Sequence, residues 1–267
     1  MERFKSYNLT LQFMNKPLYL KPAEIHSFYK GYPGPYMIGF SHLKKIFAGW
    51  ENPNLTEEIR KFRADNPDYY GMMDPEETNI LVGTIRTMQP QTIFEVGTGK
   101  GKLTEYMARA APPNAVIHSL DMLPSQRQKI KYPLDPWNKN YIRHGDEGVG
   151  IAYKNAGLEG KVIQHLGDSA AFDFSPFKRK MDIVVVDANH GYEAAQNDLS
   201  NALEIVSPGG IVVLDDFDRM HHLAGVVWAV LREVVINGRV FYHVNDKTEG
   251  IESHFIFHPN IPEAIPV

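Results

Sequence analysis

The stretch Thr92-Ile93-Phe94-Glu95-Val96-Gly97-Thr98-Gly99-Lys100-Gly101 decides the fold. Its short apolar run predicts a strand over Thr92–Val96. Leu103–Ala111 then reads as a helix, ended by Pro112-Pro113. Between them, three glycines at alternate positions allow a tight turn and a close approach of backbone to a ligand. The spacing excludes two nucleotide motifs. Counted from Gly97, the sixth position is Lys102, where the dinucleotide fingerprint needs glycine. No G-K-[ST] follows, so a Walker-type phosphate loop is excluded as well.

Working outward, strands and helices alternate. Asp74-Pro75-Glu76-Glu77 supplies an N-cap, a proline at the first helical position and a carboxylate three residues after the cap. Leu81, Ile85 and Met88 follow at helical spacing, and Pro90 stops the helix. Further strands are expected at Val116–Leu120, Val162–Leu166, Asp182–Val186, Ile211–Leu214, Val240–Val244 and His254–Phe257, the last two as a hairpin. Further helices are expected at Glu147–Asn155, Tyr192–Val206 and His222–Ile236, with residues 124–144 irregular. Short β-branched runs separated by helices mean parallel strands buried on both faces. The fold class is therefore α/β, a doubly wound, mostly parallel, seven-stranded sheet. Ligands of such sheets sit outside the carboxyl ends of the strands. Asp121, Asp168, Asp187, Asp215 and Asp216 all fall at those ends, which predicts five carboxylates around one crevice.

Residues 1–73 differ in character. They are rich in aromatics, proline and glycine, with a turn cluster at Gly31-Tyr32-Pro33-Gly34-Pro35-Tyr36 and a short helix starting near Thr56. They read as an N-terminal extension, a lid or an interface between copies of the chain, ahead of a main domain over 74–267. The whole chain of 267 residues is ordinary in composition, 43% hydrophobic and 22% charged, so a disordered or low-complexity protein is excluded. A formal net charge of -4 leaves no basic excess for a nucleic-acid partner. The absence of cysteine excludes a disulfide scaffold, a thiolate zinc site and a cysteine nucleophile. Met1-Glu2-Arg3-Phe4-Lys5 is not followed by the apolar core of a signal peptide, and no apolar run approaches the roughly 20 residues of a membrane helix. The expectation is a cytoplasmic protein without a membrane partner.

The strand-end residues carry the chemistry. Asp121 can accept paired hydrogen bonds from two ribose hydroxyls, a role it would serve equally for several cofactors. Met122 beside it can pack on an adenine. Asp187, Asp215 and Asp216 offer hard oxygens from two neighbouring strand ends, a donor set suited to magnesium or a similar cation. His190 follows Asp187 by one short turn and can take a proton from a hydroxyl as a general base. His221 and His222 read as a helix start, Asp198 as a solvated residue on an outer helix, and His118 and His165 as satisfied core residues.

The motif E-x-G-x-G-x-G at Glu95–Gly101 resembles the first motif of class I S-adenosylmethionine-dependent methyltransferases. The constellation Asp187-Ala188-Asn189-His190-Gly191-Tyr192-Glu193, then Ser207-Pro208-Gly209-Gly210, then Leu214-Asp215-Asp216-Phe217 resembles the methyltransferase-24 type. Its members include macrolide sugar O-methyltransferases and sequences labelled cephalosporin hydroxylase. The likeness covers residues 75–236. It implies S-adenosylmethionine as cofactor, with Glu95, Gly97, Thr98, Gly99, Gly101 and Asp187 around its amino-acid and ribose part. It further implies Asp168 and Ser169 at the adenine edge, the base role for His190, and a small hydroxylated acceptor such as a catechol-like or sugar diol. Two alternatives stand beside this reading. One is the same fold and cofactor used for another reaction, as in a lyase, cyclase or hydroxylase-labelled relative. The other is a non-catalytic binding protein that kept the crevice.

Overall fold

The computed structural model describes residues 36–38, 53–66, 73–134, 145–217, 224–237, 239, 241–244 and 256–259. Trp137, His221 and His222 lie outside them. The strands are β1 (Tyr36–Ile38), β2 (Thr92–Val96), β3 (Val116–Asp121), β4 (Val162–Leu166), β5 (Met181–Val186), β6 (Val206–Leu214), β7 (Tyr242–Val244) and β8 (Ile256–Pro259). The helices are α1 (Pro53–Asp65), α2 (Pro75–Met88), α3 (Lys102–Ala110), α4 (Ile151–Asn155), α5 (Tyr192–Ile205) and α6 (Ala224–Asn237).

The sheet runs β1-β7-β8-β6-β5-β2-β3-β4. Strands β4, β3, β2, β5 and β6 form a parallel block, and β8 runs antiparallel to both β6 and β7. The expected hairpin between the last two strands is present, with β8 inserted between β7 and β6. The parallel block matches the expected sheet, but the described sheet has eight strands where seven are expected. The eighth, β1, comes from the N-terminal segment and pairs parallel with β7 at the sheet edge.

Alternation along the strands explains why both faces are apolar. Ile93, Ile117, Ile183, Val185, Ile211 and Val213 face one side, where Ile80, Leu81 and Ile85 of α2 and Leu103 and Met107 of α3 cover them. Phe94, Val184, Val212 and Leu214 face the other, under Ala195, Leu199 and Ala202 of α5 and Val226–Leu231 of α6. The α2 capping box forms as the sequence implies, with the Asp74 amide donating to Glu77 Oε2 at 3.1 Å. Helix α1 docks on this domain through Leu55 and Ile59 against Val82 and Tyr106. Its Arg63 donates to the Met73 carbonyl at 3.1 Å and pairs with the cap residue Asp74 at 2.5 Å.

Two local expectations change, and one about the histidines holds. The helix expected over Glu147–Asn155 is broken into a 3-10 turn at Asp146–Gly148 and α4, because Gly150 between them adopts a left-handed φ of +69°. The β6 strand starts at Val206, before the expected Ile211, and runs through Ser207-Pro208-Gly209-Gly210 with a register shift against β5. His118 and His165 do satisfy each other, Nδ1 to Nε2 at 3.0 Å, with Phe177 edge-on to both rings.

Asp198 is the largest local correction. It is not solvated but 1% exposed on the sheet side of α5, where it accepts hydrogen bonds from Ser169 and Asn197. Burial pushes its carboxyl up from 3.8 to about 6, against those hydrogen bonds. The folded state therefore binds this proton more tightly than the unfolded chain does. The contribution to stability is full below the unfolded value and is lost as pH rises from 3.8 to about 6. At about 1.4 kcal/mol per pKa unit the loss is roughly 3 kcal/mol. Denaturant unfolding from pH 4 to 7 should show that slope in the wild type and not in Asp198→Asn. The variant should match or exceed wild-type stability at neutral pH.

Candidate active site

The glycine turn is built against the neighbouring strand. Gly97, Gly99 and Gly101 all have positive φ, at +105°, +53° and +79°. A Cβ on Gly97 would lie 1.8 Å from the Asp187 carbonyl oxygen, and one on Gly101 would lie 2.8 Å from both Gly150 Cα and the Tyr153 ring. The turn is pinned on either side by Gly97 N–H to Leu120 O at 2.8 Å and Gly150 N–H to Gly99 O at 3.0 Å. It ends as the N-terminus of α3, whose first-turn amides face anything bound above it.

Beneath the turn lies a buried polar network. Glu95 is fully buried, and its Oε2 accepts from Thr104 at 2.6 Å and Ser119 at 2.5 Å. Ser119 meets Thr98 at 2.6 Å, and Gln164 Nε2 donates to Thr98 at 2.9 Å while its Oε1 accepts from Tyr153 at 3.0 Å. Burial pushes Glu95 up to about 8, with Asp187 and Asp121 adding and the two hydroxyls opposing. Glu95 and Thr98, both expected around the cofactor, thus turn their side chains inward and brace the turn. Thr98 is left with its backbone to offer a ligand.

Asp121 ends β3 beside this turn. Its Oδ2 accepts from the Gly99 amide and its Oδ1 from the Met122 amide, both at 2.6 Å. Arg127, 9% exposed, brings its guanidinium to 3.9 Å from Oδ1. The segment after β3 then crosses the strand ends and is tied at each. Ser125 bonds Asp146 through its amide and hydroxyl, at 2.9 and 2.6 Å. Lys131 N–H donates to Asp168 Oδ2 at 2.9 Å, and Asn189 Nδ2 donates to Pro133 O at 2.9 Å. Asp168 spends its other oxygen on Ala170 N–H at 3.0 Å, and Ser169 bonds Asp198. Asp168 and Ser169 therefore hold the crossing segment and its surroundings.

Beyond β5 and β6, donor atoms of Asp187, His190 and Asp216 lie within 4.8 Å of one another. His190 Nε2 pairs with Asp216 Oδ2 at 2.5 Å. Asp216 adopts a left-handed φ of +59°, a conformation uncommon outside glycine, asparagine and aspartate. Burial pushes Asp187 up to about 7, Asp216 adds to this and His190 opposes it. Asp215 does not join the group. It is 7% exposed, and burial followed by the charge of Glu77 raises its carboxyl well above the ordinary range. The charges of Asp216 and Asp187 nevertheless act on it, so it lies beside the group. Of the expected trio Asp187, Asp215 and Asp216, the donor atoms of Asp187 and Asp216 converge with His190, and Asp215 lies beside them. Two carboxylates and an imidazole remain a donor set for a divalent cation.

Glu77 and Arg127 were not singled out in the sequence. Glu77 is 2% exposed and faces the acidic cluster electrostatically. Its place in the capping box had already accounted for it. Gly225 of α6 was missed too: a Cβ there would lie 2.1 Å from His190 O and 2.6 Å from Tyr192 N.

Fold and site together resemble those of class I methyltransferases. More particularly, residues 94–217 match the family model described as a methyltransferase domain, methyltransferase-24. The O-methyltransferase TomG from Streptomyces achromogenes, involved in tomaymycin synthesis and solved with SAM, is 22% identical, with a TM-score of 0.50 over 78% of this chain and 90% of that one. An O-methyltransferase from Bacillus cereus in complex with SAH is 13% identical, with a TM-score of 0.52 over 81% and 94%. A putative caffeoyl-CoA O-methyltransferase from Staphylococcus aureus is 13% identical, with a TM-score of 0.52 over 81% and 96%. No curated protein sequence matches the chain.

Gly225 gives a test of the His190 geometry. Gly225→Ala should push α6 and the His190 loop apart. Turnover should fall by up to about 100-fold, as for a misplacement near 1 Å. Affinity for a cofactor seated on the glycine turn should stay within about threefold, which calorimetry reads separately.

Proposed function

We propose that this domain transfers a methyl group from S-adenosylmethionine to a hydroxyl of a small molecule, assisted by a divalent cation such as magnesium. One observation carries the reading: an imidazole and two carboxylates converge within 4.8 Å at the strand ends, and Gly97 sits against the backbone of one of them, Asp187. An acceptor hydroxyl and a cofactor on the glycine turn would meet there. The bound cofactor supplies an electrophilic methyl carbon on a positive sulfonium.

The chain's own residues do the rest. The α3 N-terminal amides and the glycine turn orient the amino-acid part, and Asp121 takes the ribose. The buried carboxylates favour the cationic cofactor over its neutral product. Displacement at a methyl carbon needs alignment more than covalent help, so orientation supplies much of the rate. His190 takes the acceptor's proton. Asp216 orients the ring and stabilises the imidazolium that forms, as the carboxylate of a catalytic triad does. Asp187 and Asp216 are the residues that would hold the cation, with His190 beside it, and the cation's chemistry there is to lower the pKa of a coordinated hydroxyl. Catechol-like and sugar diols, with two vicinal oxygens, fit such a site. The TM-score neighbour described as a putative caffeoyl-CoA O-methyltransferase supports a hydroxyl acceptor. No helix among the described residues is long and apolar enough to cross a membrane.

Chelation separates the cation's contribution from that of His190. With exhaustive EDTA, loss of methyl transfer that magnesium restores supports the cation; full activity leaves the His190–Asp216 pair as sole activator. His190→Ala should lower turnover by roughly 100- to 10,000-fold with cofactor affinity little changed. Wild-type turnover in the variant would remove His190 as base. Failure of the wild type to methylate any of a broad set of hydroxylated acceptors would favour a different reaction or a binding role.

The raised Asp187 also fixes a sign. Its proton competes with a cation, and the carboxylate is free above about 7. Magnesium affinity should therefore fall by about tenfold per pH unit below neutrality, for one proton displaced. Titrations at pH 6, 7 and 8 read it, and a flat profile would contradict it.

A further inference from the structure

Arg127 stands out among the charged residues near the crevice. It lies on a 3-10 turn over Pro124–Lys129, directly after β3. Its side chain is 8% exposed, so its charge is held out of bulk water beside the end of β3. Nearby, the Asp121 side chain is 13% exposed. The gap between the Arg127 NH2 nitrogen and Asp121 Oδ1 is 3.9 Å. That is an ion pair, but it is too long for a hydrogen bond.

The placement is enforced from both directions. On the near side, the amides of Gly99 and Met122 fix the Asp121 carboxylate at 2.6 Å each. On the far side, the bonds of Ser125 to Asp146 and of Lys131 N–H to Asp168 hold the segment that carries Arg127. These ties keep the guanidinium over the end of β3.

We propose that Arg127 is a second ribose ligand beside Asp121, with one ribose hydroxyl seated between them. That hydroxyl donates to the carboxylate and accepts from the guanidinium. A hydroxyl is the smallest group that is both donor and acceptor, as a gap between a cation and an anion requires. A carboxylate alone accepts from a diol and gives nothing back, whereas the pair reads the hydroxyl in both roles. Burial pushes the Asp121 carboxyl up, while the Gly99 amide, Arg127 and the Met122 amide oppose this. Arg127 thus also helps keep Asp121 ionised as an acceptor. The proposal rests on adenosyl-cofactor binding at the glycine turn, and it adds a residue that discriminates by the ribose.

The test compares ligands as well as variants. The full chain is titrated calorimetrically with S-adenosylhomocysteine and with its 2′-deoxy and 3′-deoxy analogues. The wild type should prefer the parent over at least one analogue by on the order of 10- to 100-fold, the range for hydrogen bonds to charged groups. In Arg127→Met that preference should shrink to within about threefold, because the hydroxyl has lost a partner. Arg127→Lys keeps a point charge without the planar fork and should fall between. A merely structural role would weaken parent and analogues alike and leave their ratio at the wild-type value, which overturns the proposal. If Arg127→Met does not fold, the ratio in Arg127→Lys decides on the same terms. A wild type that does not bind S-adenosylhomocysteine overturns the cofactor reading itself, and this proposal with it.

Discussion

The contact between Gly97 and the end of β5 is the constraint on which the rest depends. A Cβ at position 97 would lie 1.8 Å from the Asp187 carbonyl oxygen. Glycine there lets the first turn lie directly on the neighbouring strand end. A crevice then opens where Asp121 and Asp187 flank one turn. The inward-facing network of Glu95, Thr98, Ser119, Thr104 and Gln164 holds that turn from below. Its hydrogen bonds satisfy polar groups that burial would otherwise leave costly.

The second constraint is electrostatic. Glu77, Asp187, Asp215 and Asp216 crowd one end of the sheet, and burial raises Asp187 and Asp215 before their mutual repulsion adds more. Such a cluster is poised for positive charge: an imidazolium, a divalent cation or a sulfonium would each relieve it. The His190–Asp216 pair is the relief the chain supplies itself. The left-handed backbone of Asp216 and the close approach of Gly225 to the His190 loop fix where that relief occurs.

Much of this was legible in the sequence. Alternating β-branched strands and capped helices give the doubly wound sheet, and the E-x-G-x-G-x-G turn gives the location of the crevice. What escaped has physical reasons. Asp215 and Asp216 look equivalent in a list of acids, yet only Asp216, on its left-handed backbone, brings a donor atom together with those of Asp187 and His190. Asp198 carried a signal that was available: it sits within the buried stripe Ala194, Ala195, Asp198, Leu199, Ala202 and Ile205 of α5. Glu77 was hidden by its capping role, which is real but incomplete. Arg127 lies in an irregular segment whose path is set by ties to Asp146 and Asp168, distant in sequence. No local pattern encodes such ties. The parallel pairing of β1 with β7 is likewise non-local.

The most direct test is a crystal structure of the full chain with S-adenosylhomocysteine and magnesium. The expected result places the homocysteine part over Gly97–Gly101, the ribose at Asp121, and a cation bound by Asp187 and Asp216 with His190 alongside. A cofactor product bound away from the glycine turn, or a cation bound elsewhere with the Asp187–His190–Asp216 group untouched, would contradict it.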